Sequence, residues 1–301
     1  MTGESHISYD FLAPRKIVFG WGRRSELGSL GRTLGRRAFI ICGSRTLAAN
    51  GTMDEMTALL QDEGVEAINI ATISHEPEVE DVDRIAGQLR SRAVKEGDFL
   101  IAVGGGAAID LAKAVAAMAT DRQSDTVKDY LENVGKNLVI TEPPLATLAV
   151  PTTAGTGCEA TKNAVISSYD PPFKKSLRDE RLVPSIALVD PELTISTPPS
   201  ITAASGMDAI TQLIESYISL KTQPIPRALA LQGLMMGIPA IVEAVENGSS
   251  RPARENMAHA ALLSGICLAN SGLGFAHGVA PALGVHCRVP HGVACALMLP
   301  V

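Results

Sequence analysis

The segment Asp98–Ala114 reads DFLIAVGGGAAIDLAKA, and this stretch decides the fold. Its first six residues are an apolar run that predicts a buried strand, a triple glycine ends the strand, and the alanine-rich residues that follow predict a helix over Ala107–Thr120. Glycines leave backbone N–H groups open to a phosphate, and the helix adds its positive N-terminal end. A tight strand-to-helix turn without a ligand is the alternative. The residues that would face a nucleotide are Gly104, Gly105, Gly106 (the glycine loop) and, in the first helical turn, Asp110.

Strand and helix patterns alternate on both sides of this unit. Apolar runs predict strands over Ala38–Cys42, Val65–Ala71 and Leu145–Val150, and helical spacing predicts helices over Met53–Gln61 and Asp81–Val94. Short apolar strands separated by helices are typical of a parallel sheet that is covered on both faces. Right-handed crossovers make such a sheet doubly wound, and ligands bind at the carboxyl ends of its strands.

The composition excludes several classes of protein. Hydrophobic residues make up 46% of the 301 residues, which excludes a disordered chain. The net charge of −6, from 26 basic and 32 acidic residues, and an aromatic content of 4% argue against nucleic-acid binding. There is no continuous apolar run of about 18 residues and no apolar segment near the start, so neither a membrane span nor a secretory signal is expected. Five cysteines without a CxxC pair indicate reduced thiols that serve as small apolar residues in a cytoplasmic enzyme.

After Asp190-Pro191 the pattern becomes helical. Helices are predicted over Met207–Ser219, Ile225–Glu246, Arg254–Asn270 and Gly274–Gly284. We therefore expect two domains, an α/β dinucleotide-binding domain over residues 1–195 and a helical domain over residues 196–301. The chain ends on the apolar residues Leu299-Pro300-Val301, from which we expect a helical domain that is incomplete at its C-terminus.

A second loop with nucleotide-binding chemistry follows the strand Leu145–Val150. This threonine loop, Pro151–Gly157, reads PTTAGTG and offers the hydroxyls of Thr152, Thr153 and Thr156. Such a loop can hydrogen-bond a nucleotide or its ribose, although turns rich in Ser and Thr are common without a ligand. Two loops of this kind at the ends of two strands of one sheet strengthen the prediction of a nucleotide site.

Four residues of the helical half have the chemistry of metal ligands. Asp208 and Gln212 are four residues apart, so they share one helix face. His277 and His291 follow, and His291 stands at the predicted start of a helix. Two imidazoles, a carboxylate and an amide oxygen suit a divalent ion such as iron or zinc. For either histidine alone, a hydrogen-bonded buried residue is the simpler interpretation.

Taken together, these segments resemble the iron-containing (group III) alcohol dehydrogenases. The resemblance covers nearly the whole chain, and five ordered segments carry it. They are GGGAAIDLAKA (Gly104–Ala114), AVPTTAGTGCEAT (Ala149–Thr161), ALVDPELT (Ala187–Thr194), GMDAITQLIESYIS (Gly206–Ser219) and VPHGVACALMLP (Val289–Pro300). The resemblance implies a dehydroquinate synthase-like fold, in which the doubly wound α/β domain is followed by an all-helical domain and the cofactor and metal meet in the cleft between them.

The resemblance also implies roles for individual residues. The glycine loop matches the family segment that holds the cofactor diphosphate, and the threonine loop matches its second nucleotide segment. Lys175 resembles a family lysine near the nicotinamide, although Lys174 is adjacent and the match between the two is open. Asp208, His277 and His291 fall on three of the four family metal ligands.

Two departures from the family pattern stand out. Gln212 occupies the fourth ligand position, where the family usually has His, and a neutral amide is a weaker ligand than imidazole. Pro281 stands one turn after His277, where the family often has a second His that is thought to relay protons. His286 is a speculative replacement base, and a partly exposed histidine without a role is the alternative.

The residues after the first predicted strand bear on the choice of cofactor. Members of the family that prefer NAD tend to carry an Asp here, which binds a ribose hydroxyl and repels a 2′-phosphate. This chain reads Cys42-Gly43-Ser44-Arg45, with no carboxylate, and Ser44 and Arg45 could bind a phosphate. We therefore expect Gly43 and Ser44 to contact the cofactor, and NADP to be slightly preferred.

These observations favour an NAD(P)-dependent oxidoreductase that interconverts a small alcohol and its aldehyde or ketone, with a divalent metal, iron or zinc, polarising the substrate oxygen. The resemblance adds the expectation of a homodimer. Two alternatives remain open at this point: a metal-independent relative of the same fold, and a non-catalytic nucleotide-binding protein.

Overall fold

The structure is a computed structural model that describes residues 8–43 and 45–300. In chain order its strands are β1 Lys16–Phe19, β2 Arg37–Cys42, β3 Glu66–Thr72, β4 Asp98–Gly104, β5 Ala146–Pro151, β6 Asn163–Tyr169, β7 Pro172–Arg178 and β8 Ile186–Val189. Six of them form one sheet in the order β1-β8-β5-β4-β2-β3, and every neighbouring pair is parallel. The other two, β6 and β7, form an antiparallel hairpin.

Helices cover both faces of the sheet and make up the second half of the chain. They are α1 Leu27–Leu34, α2 Arg45–Ala49, α3 Thr52–Asp62, α4 Val79–Ser91, α5 Gly106–Thr120, α6 Pro199–Ile218, α7 Pro224–Glu246, α8 Arg251–Ser271, α9 Phe275–Cys287 and α10 His291–Met298. The doubly wound parallel sheet followed by an all-helical region confirms the predicted fold class.

Strand β4 shows why the sheet is covered on both sides. All seven of its residues are buried, and alternate side chains point to opposite faces. Phe99 and Ile101 belong to the core beneath α1 and α3, whereas Leu100 and Ala102 belong to the core beneath α4 and α5. A strand buried on both faces carries no polar side and therefore reads as a continuous apolar run, which is the pattern that predicted it.

The order of the strands places the nucleotide loops at the topological switch point of the sheet, where the direction of the strand connections reverses. From β2 the chain passes to β3 on one side of it, and from β3 it returns to β4 on the other side. In parallel sheets a crevice forms where neighbouring connections run in opposite directions, and ligands bind there. The residues after β2 and β4 line this crevice. A Cβ atom on Gly43 would lie 2.8 Å from the Cα atom of Gly104, so the two backbones touch.

In the second half of the chain, α6, α7 and α8 pack closely through small residues. One face of α7 buries Ala230, Gly233, Gly237 and Ala240. A side chain on Gly233 would lie 2.8 Å from Leu213 of α6, so the glycine permits the close approach. The predicted boundary near residue 195 lies between the end of β8 at Val189 and the start of α6 at Pro199.

The opposite face of α7 is apolar and exposed. Its exposed side chains include Leu231, Met235, Ile238 and Val242. By length and composition α7 is long and apolar enough to cross a membrane, and α8 and α9 meet the same criterion together across a bend of 103°. The expectation of no membrane span rests on the lack of an unbroken apolar run, and in α7 such a run is interrupted by Gln232 and Glu243. One or two such helices are weak evidence of a membrane span, since core helices of soluble proteins share these features.

Candidate active site

The glycine loop and the threonine loop lie side by side at the carboxyl edge of the sheet. Strands β4 and β5 are neighbours, with Gly104 opposite Pro151, and the Thr152 N–H donates to the carbonyl oxygen of Gly104 at 3.0 Å. A Cβ atom on Gly105 would lie 3.1 Å from the Thr153 hydroxyl, and one on Gly106 would lie 2.7 Å from the Thr156 hydroxyl. Both glycines therefore lie against threonine side chains with no room for a side chain of their own, and α5 begins at Gly106. Backbone N–H groups, hydroxyls and a helix N-terminus together suit a diphosphate.

The other residues that were predicted to bind the cofactor lie outside the two nucleotide loops. Asp110 is buried, accepts the Val165 N–H at 3.0 Å and forms an ion pair with Lys113 at 3.2 Å, so this carboxylate also joins α5 to the β6–β7 hairpin. Lys175 and Lys174 both line the large cavity described below. Lys174 is paired with Glu76 at 2.5 Å. Ser44 lies outside the described residues, as does the side chain of Arg45.

Three helices bring the predicted metal ligands together. The cluster of Asp208 on α6, His277 on α9, and His291 and Cys295 on α10 is called here the donor cluster, and one donor atom from each residue lies within 4.8 Å of every other. Asp208 Oδ1 is 3.0 Å from His277 Nε2 and 3.7 Å from His291 Nε2. The structure thus brings together Asp208, His277 and His291, and their role as metal ligands stays a prediction.

Cys295 is the member of the cluster that sequence reasoning missed. Its Sγ atom lies 3.4 Å from His277 Nε2 and 3.8 Å from His291 Nε2, and the residue is fully buried. The sequence analysis treated the thiols as small apolar residues. The overlooked signal is the spacing from His291 to Cys295, since residues four apart in a helix share one face.

A second overlooked residue, Glu215, holds His277 from behind. Glu215 Oε2 accepts a hydrogen bond from His277 Nδ1 at 2.6 Å, and Oε1 accepts the Ala276 N–H at 2.7 Å. Gly274, just before α9, makes room, since a side chain there would lie 2.9 Å from Oε1. With Nδ1 committed to the carboxylate, Nε2 of the same ring faces the donor cluster. A carboxylate behind a histidine is the usual partner of a metal-binding imidazole, and it fixes the orientation of the ring.

The buried charges of this region stabilise one another. Burial favours the neutral form of His277, but hydrogen bonds to Asp208, Cys295 and Glu215 outweigh it and raise the pKa of His277 to about 11. Burial would also raise the pKa values of Asp208 and Glu215, yet the hydrogen bonds from His277 hold both below their usual range. His291 differs, because burial lowers its pKa and keeps its ring neutral. Burial raises the pKa of the Cys295 thiol.

Gln212 lies one turn after Asp208 on α6 and is buried. Its Nε2 group donates to Asp208 Oδ2 at 3.3 Å, on the side of the carboxylate away from the His277 contact. Its Oε1 atom is buried and has no hydrogen-bond partner among the described residues. The amide thus orients Asp208 and leaves one acceptor unsatisfied.

One cavity of about 1200 Å³ joins the two halves of the site. Gly106 and Thr156 of the two nucleotide loops line it, as do His277 and His291 of the donor cluster. Pro281 is also part of the lining. His286, the speculative base, is exposed on the last turn of α9 and is absent from the lining that the described residues form, so the structure gives it no position from which to reach a bound substrate.

Comparison with known proteins agrees with this geometry. The family model for iron-containing alcohol dehydrogenases matches residues 14–191, and the model for the C-terminal part of the same family matches residues 202–301. The chain is 33% identical over 291 residues to long-chain-alcohol dehydrogenase 1 of Geobacillus thermodenitrificans, covering 95% of this chain and 72% of the relative. It is 33% identical over 296 residues to the NADPH-dependent butanol dehydrogenase of Clostridium saccharobutylicum, covering 96% and 72%.

Solved structures show the same likeness in three dimensions. The crystal structure of a 1,3-propanediol oxidoreductase superposes with a TM-score of 0.88 at 32% sequence identity, covering 97% of this chain and 74% of that one. The α/β part and the helical part of the chain thus match one family. The chain belongs to the iron-containing alcohol dehydrogenase family, and it is an NAD(P)-dependent enzyme that interconverts alcohols and aldehydes.

Proposed function

We propose that the chain carries out this reaction in the cavity between the glycine loop and the donor cluster, with Asp208, His277 and His291 holding a divalent metal ion. The observation that carries the proposal is the single cavity lined both by the nucleotide loops and by the two histidines. When bound, the ion supplies a Lewis acid at the substrate oxygen, and the nicotinamide supplies or accepts the hydride. The butanol dehydrogenase and the 1,3-propanediol oxidoreductase to which the chain is similar support a small alcohol or aldehyde as substrate, and its similarity to a long-chain-alcohol dehydrogenase makes longer alcohols the alternative.

The residues of the donor cluster fit a divalent cation. Two imidazole nitrogens, a carboxylate oxygen and a thiol are typical donors for such ions. Asp208 brings negative charge into a buried site, and Glu215 keeps His277 Nε2 aimed at the cluster. In the second imidazole, that of His291, the buried Nδ1 atom has no hydrogen-bond partner among the described residues, whereas Nε2 faces Asp208.

For the cofactor, the glycine loop is the proposed diphosphate site and the threonine loop its second contact. At Gly105 and Gly106 a side chain would collide with Thr153 or Thr156, so glycine keeps the two loops in close contact. Asp110 and Lys175 lie near the same cavity and are proposed as further contacts.

We also propose a slight preference for NADP. The crevice beside Gly43 is a smaller cavity of about 220 Å³, and the described residues that line it include no acidic side chain. A 2′-phosphate would meet no repulsion from these residues. The ratio of kcat/KM for NADPH to that for NADH, measured with one aldehyde, checks this: a value above one is expected, and a strong preference for NADH would contradict it.

The proposed metal site is tested with two histidines of the same helix. His277→Ala removes a proposed ligand, whereas His286→Ala changes an exposed residue outside the cavity and serves as the matched control. Purified proteins are analysed for iron and zinc and assayed for aldehyde reduction with NADPH. Loss of metal and turnover in His277→Ala, with both retained in His286→Ala, is expected. Turnover by a wild-type protein that carries no metal would refute the proposed ligands.

Three further features are proposed for the protein as a whole. A cytoplasmic location is proposed from the sequence, because its five cysteines include no CxxC pair and suit a reducing compartment. A homodimer is proposed from the family, and light scattering of the purified protein would test it.

The acidic net charge of −6 supports a protein without a nucleic-acid partner, and an unshifted mobility of duplex DNA or RNA in its presence is expected. Membrane partners are likewise not expected, and flotation with vesicles would test this for the exposed face of α7.

A further inference from the structure

The donor cluster contains a sulfur atom in a position that a metal could use. Cys295 lies one helical turn after His291 on α10, so both side chains leave the same face of that helix. Its Sγ atom faces His277 Nε2 at 3.4 Å and His291 Nε2 at 3.8 Å. Each of the three helices α6, α9 and α10 therefore contributes to one buried set of donors: an oxygen, two nitrogens and a sulfur.

The spacing of these atoms matches that of ligands around one ion. In a tetrahedral zinc site with bonds of about 2.0–2.3 Å, neighbouring ligand atoms are about 3.3–3.8 Å apart. Four of the six separations within the cluster are 3.0 Å and 3.7 Å from Asp208 Oδ1 to the two histidines, and 3.4 Å and 3.8 Å from Cys295 Sγ to the same nitrogens, and all six are within 4.8 Å. Only small changes in these four distances would be needed for one ion to bind all four donors.

Gln212 does not fill the fourth position in this arrangement. The atom that it directs at Asp208 is an amide N–H group, which donates hydrogen bonds and cannot bind a cation. Its contact is with Oδ2, so Oδ1 of the same carboxylate stays available to the cluster. In this geometry the amide N–H of Gln212 orients Asp208, and four donors already meet without the amide.

We propose that Cys295 is the fourth protein ligand and makes the site selective for zinc. This inference rests on the metal site proposed above. A thiolate is a soft ligand that favours zinc over hard ions such as manganese or magnesium. Cysteine and histidine are also the usual ligands of zinc in proteins. Metal binding would expel the proton of the thiol, since the thiolate is the form that binds.

The first test uses the metal as a spectroscopic probe. The full-length chain is stripped with a chelator and reloaded with Co²⁺, and its near-ultraviolet absorption is recorded. A thiolate-to-cobalt charge-transfer band is expected in the wild type and in Gln212→Ala, and its loss is expected in Cys295→Ser while the visible d–d bands remain. The exposed Cys287 gives the matched control, because Cys287→Ser should keep the band. A band that persists in Cys295→Ser would overturn the proposal.

A second test separates ligation from a packing role and does not depend on turnover. X-ray absorption at the zinc edge of the wild type should show a sulfur neighbour at about 2.3 Å. Loss of an outer partner of a metal ligand lowers metal affinity roughly 10- to 100-fold. Loss of a direct ligand in Cys295→Ser should lower zinc affinity by at least as much, whereas manganese affinity should change little. An equal loss for both ions would show that Cys295 acts only through packing. If the wild type binds metal without a sulfur neighbour, this inference fails alone; if it binds no metal, the proposed metal site fails with it.

Discussion

Replacement of Gly265 by alanine should separate the threonine loop from the helical half of the protein. Gly265 lies in the middle of α8, and the loop residue Gly157, at a φ of +62°, rests directly on it. A Cβ atom on Gly265 would lie 2.0 Å from the carbonyl oxygen of Gly157, whereas ordinary van der Waals contacts begin at 3.4 Å. The loop or the helix must therefore move by about 1.4 Å, the difference between these two distances.

The expected cost follows from two opposing terms. Alanine in place of glycine inside a helix stabilises it by about 1 kcal/mol. Forcing extra volume into a packed contact costs about 1–3 kcal/mol, and the upper value applies because the partner is backbone and cannot rotate away. The net expectation is a loss of about 2 kcal/mol in the free energy of unfolding. Thr153 and Thr156 belong to the displaced loop, so the KM for the cofactor should rise as well.

Gly87 provides the matched control. It also lies inside a helix, α4, but a Cβ atom there meets nothing within 4 Å. Gly87→Ala should therefore gain about 1 kcal/mol and leave the KM unchanged. Urea unfolding and steady-state kinetics of both variants make the comparison, with an expected gap of about 3 kcal/mol between them. If Gly265→Ala proves as stable as Gly87→Ala, the reasoning from close backbone contact is wrong.

Three further predictions concern buried charges. Glu215→Gln removes the carboxylate behind His277, and metal affinity measured by calorimetry should fall roughly 10- to 100-fold; an unchanged affinity would mean that the ring is oriented by other contacts. Burial raises the pKa of Glu159 from 4.5 to about 7, so the folded state holds this proton more tightly than the unfolded chain does. Stability should then decline by about 3 kcal/mol as the pH rises from about 4.5 to about 7 and level off above it, and urea midpoints of Glu159→Gln against pH should lack this decline. Lys113→Met leaves Asp110 without its buried partner and should cost about 3–5 kcal/mol in urea unfolding; adding Asp110→Asn should restore part of this loss, and no recovery would argue against the ion pair.

The parts of the fold that the sequence could predict are those written in local patterns. Strand β4 was expected over Asp98–Val103 and ends one residue later, at Gly104, because its five consecutive buried apolar residues are a local signal that the sequence displays directly. Strands β1 and β8 were missed because each has only four residues, too few to show a period. The β6–β7 hairpin was missed for another reason. Its strands mix polar and apolar residues, and they pack against α5 and α9, which lie far away in the sequence.

The same distinction holds for the site. Spacing and resemblance could predict Asp208, His277 and His291, because each lies in a segment with a recognisable pattern. Cys295 could not be assigned in this way, since its nearness to His277 arises from how α9 and α10 pack together. Glu215 falls between these cases: it lies seven residues after Asp208 on the same face of α6, but only the structure shows that the face meets the start of α9.

The placement of the donor cluster also bears on how often two of its helices open. Its residues come from three helices, and α9 and α10 share the smallest buried apolar group among the described residues, with Ala280, Ala294 and Cys295 at its centre. Helices with little buried apolar surface open locally more often than the rest of a protein. An ion held between α6 and this pair is then a cross-link that α9 and α10 must break before they can separate. A metal bound there would therefore make these two helices open less often, and its removal would loosen this end of the helical region first.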